Sequence, residues 1–200
     1  MKRLVGIVSI AALFAGCVSM PDTNRMMSQS RLMQELMKGT DMPAWHTQRE
    51  QITQALGDRV FDKDFNRVFD SLTIALATAG MTVDNMERQS GYIAAHGQLL
   101  PPERAKPLRR EELRAWCAAN GYDPSLVESR PGDMIDPDMG SGMMGKFGTT
   151  LTISLVKQSE KQTKVKLRFN GIYYPPTLGE YYKALWPGLD KQIFMDKATD

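Results

Sequence analysis

The clearest pattern in the chain is an apolar stripe at helical spacing. In DKDFNRVFDSLTIALATAG, Phe65, Val68, Phe69, Leu72, Ala75, Leu76 and Ala79 recur every three or four residues, which sets them on one helix face. Asp62 is placed to cap the start, and Gly80 to take the left-handed conformation past the end. This stripe is core, with no ligand site in it. A hairpin should follow, because MTVDNM and YIAAH flank ERQSG, where Ser90-Gly91 can turn the chain. A second strand pair is clearer still. Leu151, Ile153 and Leu155 alternate with Thr150, Thr152 and Ser154, while Val165, Leu167 and Phe169 alternate with Lys164, Lys166 and Arg168. Period-two patterning with one wet face predicts an antiparallel sheet covered on one side, its outer cations in solvent.

Helix returns at the C-terminus. Thr177 and Glu180 in PPTLGEYY stand at capping-box spacing, and Leu178, Tyr181, Tyr182 and Leu185 form an apolar side. Pro187 should kink or restart this helix, with Leu189, Ile193 and Phe194 continuing the face. Between the strand pairs lies an insertion, about 98–148. It holds a helix around RREELRAWCAANGY and a Gly/Asp/Pro/Met-rich stretch, 132–148, without periodicity, read as a loop. The order helix, two strands, insertion, two strands, helix predicts an α+β fold, with helices packed on one face of an antiparallel sheet.

The N-terminus changes how much of the chain this fold includes. Lys2 and Arg3 precede a charge-free, mostly apolar run from Leu4 to Phe14, closed by Ala15-Gly16 and Cys17. The run is too short for a permanent membrane span, which needs ~20 apolar residues, and its layout is that of a cleavable export signal. LFAGC resembles the lipobox of bacterial lipoproteins, with Phe14 where leucine is usual. The resemblance implies that the Cys17 thiol is acylated and becomes the first residue of the mature protein. Val18 and Ser19 lack the aspartate that retains many Gram-negative lipoproteins at the inner membrane, so the expected destination is the outer membrane, facing the periplasm. An ordinary secreted protein with a coincidental cysteine is the alternative. The expected organisation is a signal at 1–16, a lipid-anchored polar lead at 17–57 and one periplasmic domain at 58–200. Within the lead, Met27, Leu32, Met33, Leu36 and Met37 have loosely helical spacing, fitting either a helix packed on the domain or part of a tether.

Charge then offers little. The 25 basic and 23 acidic residues give a net charge of +2, and losing Lys2 and Arg3 with the signal removes that excess. No nucleic-acid partner is expected of a near-neutral exported protein. With Cys17 acylated, Cys117 has no intramolecular disulfide partner. Leu113, Trp116 and Cys117 share a helical face, so a buried thiol is expected rather than an intermolecular disulfide or a nucleophile.

Signals for catalysis are sparse. His46 and His96 are the only histidines and belong to no nucleophile motif, so no enzyme activity and no catalytic residue is expected. Asp133, Asp136 and Asp138 do not follow a calcium-loop series. Met134, Met139, Met143 and Met144 could suit copper(I), but methionine is common along the whole chain, and neither metal nor cofactor is expected. Tyr173, Tyr174, Tyr181, Tyr182 and Trp186 could line a groove for an apolar ligand or complete the core.

One further resemblance bears on function. VFDSLTIALATAGMTVDNMERQSGYIAA, residues 68–95, is similar to the helix-then-hairpin unit of helix-grip domains in outer-membrane lipoproteins of the BamC type. The likeness covers roughly thirty residues and the strand-strand-helix ending; the insertion departs from it. It implies a periplasmic scaffold or assembly accessory with an envelope protein partner, and it carries over no catalytic residue. The alternative is a carrier for a lipid or other apolar ligand. An enclosed apolar cavity would favour the carrier, and a filled core with an exposed patch the scaffold.

Overall fold

A computed structural model describes residues 23–128 and 149–195. The fold is α+β. Helices α1 (Thr23–Lys38) and α2 (Pro43–Leu56) lead into strand β1 (Asp58–Phe61) and helix α3 (Phe65–Thr78). The hairpin β2 (Met81–Glu87) and β3 (Tyr92–Gly97) follows, then α4 (Pro102–Ala119) with a 3-10 turn at Pro124–Val127. The chain closes with β4 (Thr149–Ser159), β5 (Gln162–Asn170) and the long helix α5 (Pro175–Met195). The five strands form one antiparallel sheet in the order β1-β5-β4-β3-β2.

The alternation read from the sequence sets which sheet face is covered. Leu151, Ile153, Leu155, Val165 and Leu167 are buried, and against them lie Val68, Phe69, Leu72 and Leu76 of α3 with Leu178, Tyr182, Leu185 and Leu189 of α5. A second cluster joins Leu32 and Leu36 of α1, Trp45 of α2, Leu113, Trp116 and Cys117 of α4, Leu126, Val127 and Tyr174. Residues 23–56, the helical part of the expected lead, therefore take the packed alternative. Leu32 and Leu36 could not be buried if α1 hung free. Arg25 Nη2 donates to the Ser125 carbonyl at 3.0 Å, which fixes the rotation of α1 on this cluster.

Two glycines set close approaches. At Gly57, between α2 and β1, a Cβ would lie 2.4 Å from the Thr53 carbonyl oxygen and 3.0 Å from that of Leu167. Only a residue without a side chain lets β1 start so near the end of α2. Gly91 turns the β2–β3 hairpin at φ +71°, and a Cβ there would meet the Leu155 carbonyl oxygen at 2.5 Å.

Two local expectations are corrected and a third is narrowed. The cap of α3 is Asp64, whose Oδ1 accepts from the Arg67 amide at 3.0 Å. Asp62 instead accepts from Gln162 Nε2 at 3.0 Å and ties β1 to the β4–β5 turn. Thr177 does not cap α5, because Pro175 and Pro176 already form its first turn, where a missing N–H costs nothing. The helix is not restarted at Pro187 but continues through it as one element. Burial of Leu185, Trp186, Leu189 and Ile193 on both sides of the proline offsets the hydrogen bond it forgoes.

Candidate functional site

The aromatic residues that could have lined a ligand groove mostly close the interior. Tyr182 and Trp186 are fully buried, and Phe169 packs edge-on to Tyr181 and Tyr182 at 5.5 and 5.0 Å between centroids. Their polar atoms are used: Tyr182 Oη donates to the Leu167 carbonyl at 3.2 Å, and Trp186 Nε1 donates to that of Leu56 at 2.6 Å. Tyr174 stacks edge-on with Trp45 at 5.2 Å and donates to Glu111 at 2.9 Å. Burial, together with that carboxylate, pushes the Tyr174 phenol up to about 12. Only Tyr173 stands at the surface, under the Arg49 guanidinium. A side-chain–filled space between sheet and helices leaves little room for an apolar guest.

Two of the surface hollows among the described residues are open clefts. One, of about 480 Å³, lies between α2 and β5 and is walled by His46, Arg49, Glu50, Arg168 and Phe169. The other, of about 460 Å³, lies along β1 and the end of α5, between Arg59, Val60, Phe61, Lys63, Asp190 and Phe194. Its chemistry is mixed. Arg59 bridges to Asp190 at 2.5 Å and lies 4.5 Å over the Trp186 ring, while Val60 is 49% and Phe194 56% exposed. Met195 beside them is also exposed. β1 is an edge strand, so among the described residues its outer backbone groups have no sheet partner. Apolar side chains beside an open strand edge are the features a partner segment can use.

The titratable candidates are not brought together. His46 on α2 faces Asp41 at 3.1 Å, and His96 on β3 faces Asp84 at 2.6 Å, each an exposed pair. Among the described residues no group of three or more His, Cys, Asp or Glu is placed to hold a metal ion. Cys117 is free and buried; burial, with Asp123 nearby, pushes its thiol up to about 11, which suppresses the nucleophilic thiolate. The basic row on β5 is partly neutralised by a residue outside the predicted strands. Asp58 of β1 meets Lys164 at 2.9 Å and Arg168 at 2.8 Å. Burial works against the Asp58 carboxylate, but those two cations outweigh it and hold its pKa below the usual value.

Sequence reasoning missed β1. DRVF is four residues long and buries only Phe61, too little for a period to show. Cys17, the aspartates at 133, 136 and 138, and the methionines at 134, 139, 143 and 144 lie outside the described residues. No described helix is long and apolar enough to cross a membrane. Comparison with protein-family models, with curated proteins and with solved structures found no match to this chain.

Proposed function

We propose that the protein is a lipid-anchored periplasmic lipoprotein of the outer membrane, non-enzymatic, acting as a scaffold or assembly accessory through protein contacts. The observation that carries the choice of scaffold over carrier is the filled interior beside an exposed apolar patch. Trp186, Tyr182 and Phe169 occupy the space between helix and sheet, while Val60, Phe194 and Met195 stand in solvent at an open strand edge. A lipid carrier needs an enclosed apolar volume, whereas a contact surface needs apolar anchors within a polar rim. Arg59, Lys63 and Asp190 supply such a rim. The LFAGC segment supports the anchor, and the helix-grip likeness of residues 68–95 supports the accessory role.

A photo-crosslinking residue at position 194, introduced in cells, tests this reading. Capture of one envelope protein, lost when Val60→Lys places a charge in the patch, is the expected result. Lipid co-purifying at one molecule per chain, with no protein captured, would contradict it.

A further inference from the structure

Ten large apolar residues are exposed among the described residues, and α1 carries three of them. Met26 is 39%, Met27 59% and Met37 77% exposed. Met26 and Met37 are eleven residues apart, about three turns, so they lie on one line of the helix, and Met27 is about 100° round from it. Exposed Gln34 and half-buried Ser30 lie between Met26 and Met37, and exposed Arg31 and Lys38 flank Met27, with Lys38 also paired to Glu35 at 2.6 Å. The helix has three basic residues, Arg25, Arg31 and Lys38, and one acidic residue, Glu35. Its rotation is fixed: Leu32 and Leu36 are buried, Gln29 Nε2 donates to the Leu126 carbonyl at 3.5 Å, and Arg25 reaches the Ser125 carbonyl. The methionine face thus cannot turn inward without dismantling the second core cluster.

We propose that this face of α1 lies on the membrane surface, with Met26, Met27 and Met37 at the acyl boundary and Arg31 and Lys38 against anionic headgroups. The inference rests on acylation of Cys17, as proposed above. Six residue steps separate Cys17 from Thr23, and at no more than about 3.6 Å each they let α1 begin at most roughly 20 Å from the acyl chains. An apolar, basic-flanked face held that close to a bilayer matches the chemistry of an interfacial helix. The placement also orients the domain. Tyr174, at the head of α5, belongs to the cluster under α1, while Phe194 and Met195 lie at the far end of that 21-residue helix, about 30 Å away. The two apolar surfaces therefore divide the work: α1 faces lipid, and the β1–α5 patch faces the periplasm.

Spin labelling of the full-length acylated protein tests this. Nitroxides at M27C and M37C are compared with M86C on β2 and V156C on β4, in vesicles of phosphatidylethanolamine and phosphatidylglycerol. Oxygen and a water-soluble nickel chelate report immersion. The expected result is an oxygen-to-nickel accessibility ratio about tenfold higher at 27 and 37 than at 86 and 156, as for a helix seated in the interface. Equal ratios at all four sites, on protein shown by intact mass to be acylated, would overturn the orientation while leaving the anchor standing. Absence of acyl mass would overturn both. Dipolar broadening at 27 and 37 without oxygen access would instead show that a second copy covers the face, and would overturn the proposal.

Discussion

Trp186 offers the sharpest test of how the helices are joined to the sheet. Its indole lies within the main core, 6.2 Å from the Phe61 ring, and its Nε1 donates to the Leu56 carbonyl at 2.6 Å. Leu56 is the last residue of α2, so its carbonyl has no acceptor role within the helix. One side chain of α5 therefore closes α2 and packs on β1. Trp186→Phe keeps the ring contact but removes the donor. Leaving that carbonyl without its partner costs about 1–3 kcal/mol. The smaller ring leaves a gap of roughly 40 Å³, worth about 1 kcal/mol at ~24 cal/mol per Å³. A total of about 3 kcal/mol corresponds to a fall in melting temperature of roughly 6–12 °C for a domain of this size. Urea unfolding followed by far-UV circular dichroism measures the loss, and hydrogen exchange in the last turn of α2 localises it. A loss below about 1 kcal/mol, or unchanged exchange at Thr53 to Gly57, would refute the argument that Trp186 holds α2 to the sheet.

Other parts of the structure make equally definite predictions. Leu32→Ala, in the second core cluster, should cost about 2–5 kcal/mol in urea unfolding, whereas in a free tether it would change nothing. Cys117, with its thiol pushed up to about 11, should react with iodoacetamide at pH 8 roughly 200-fold more slowly than an ordinary cysteine, and at the ordinary rate in denaturant. Because the Asp58 pKa is depressed in the folded state, its contribution is present above the unfolded carboxylate value of about 3.9 and is lost as pH falls through the folded value. Asp58→Asn should therefore flatten the acid limb of stability below about pH 4, read as melting temperature against pH.

How much of this was legible follows from what each segment buries. β4, β5 and α3 bury one complete face each, so their periods show directly in Leu151 to Leu155, Val165 to Phe169 and Phe65 to Ala79. α1 and α2 bury much narrower stripes, and the packing of Leu32, Leu36 and Trp45 depends on a cluster assembled with α4, some eighty residues away in sequence. No local pattern could separate a packed helix from a tether there. The cap at Asp64 and the passage of α5 through Pro187 were decided by neighbours rather than by spacing. Asp62 is drawn to Gln162, and Pro187 is carried by the burial around it. The β1–α5 patch was invisible for a similar reason: Val60 and Phe194 read as ordinary apolar residues until the fold leaves both in solvent beside a free edge.

The anchoring of this domain is the claim on which its orientation and its proposed role both depend. Intact-mass analysis of the protein extracted from membranes, beside the Cys17→Ala variant, tests it most directly. The expected result is a chain that begins at Cys17, lacks residues 1–16 and carries acyl mass on that residue, with the variant unacylated and lost from the membrane fraction. A free thiol at position 17, or a Cys17→Ala variant that still fractionates with detergent-soluble membrane protein, would contradict it.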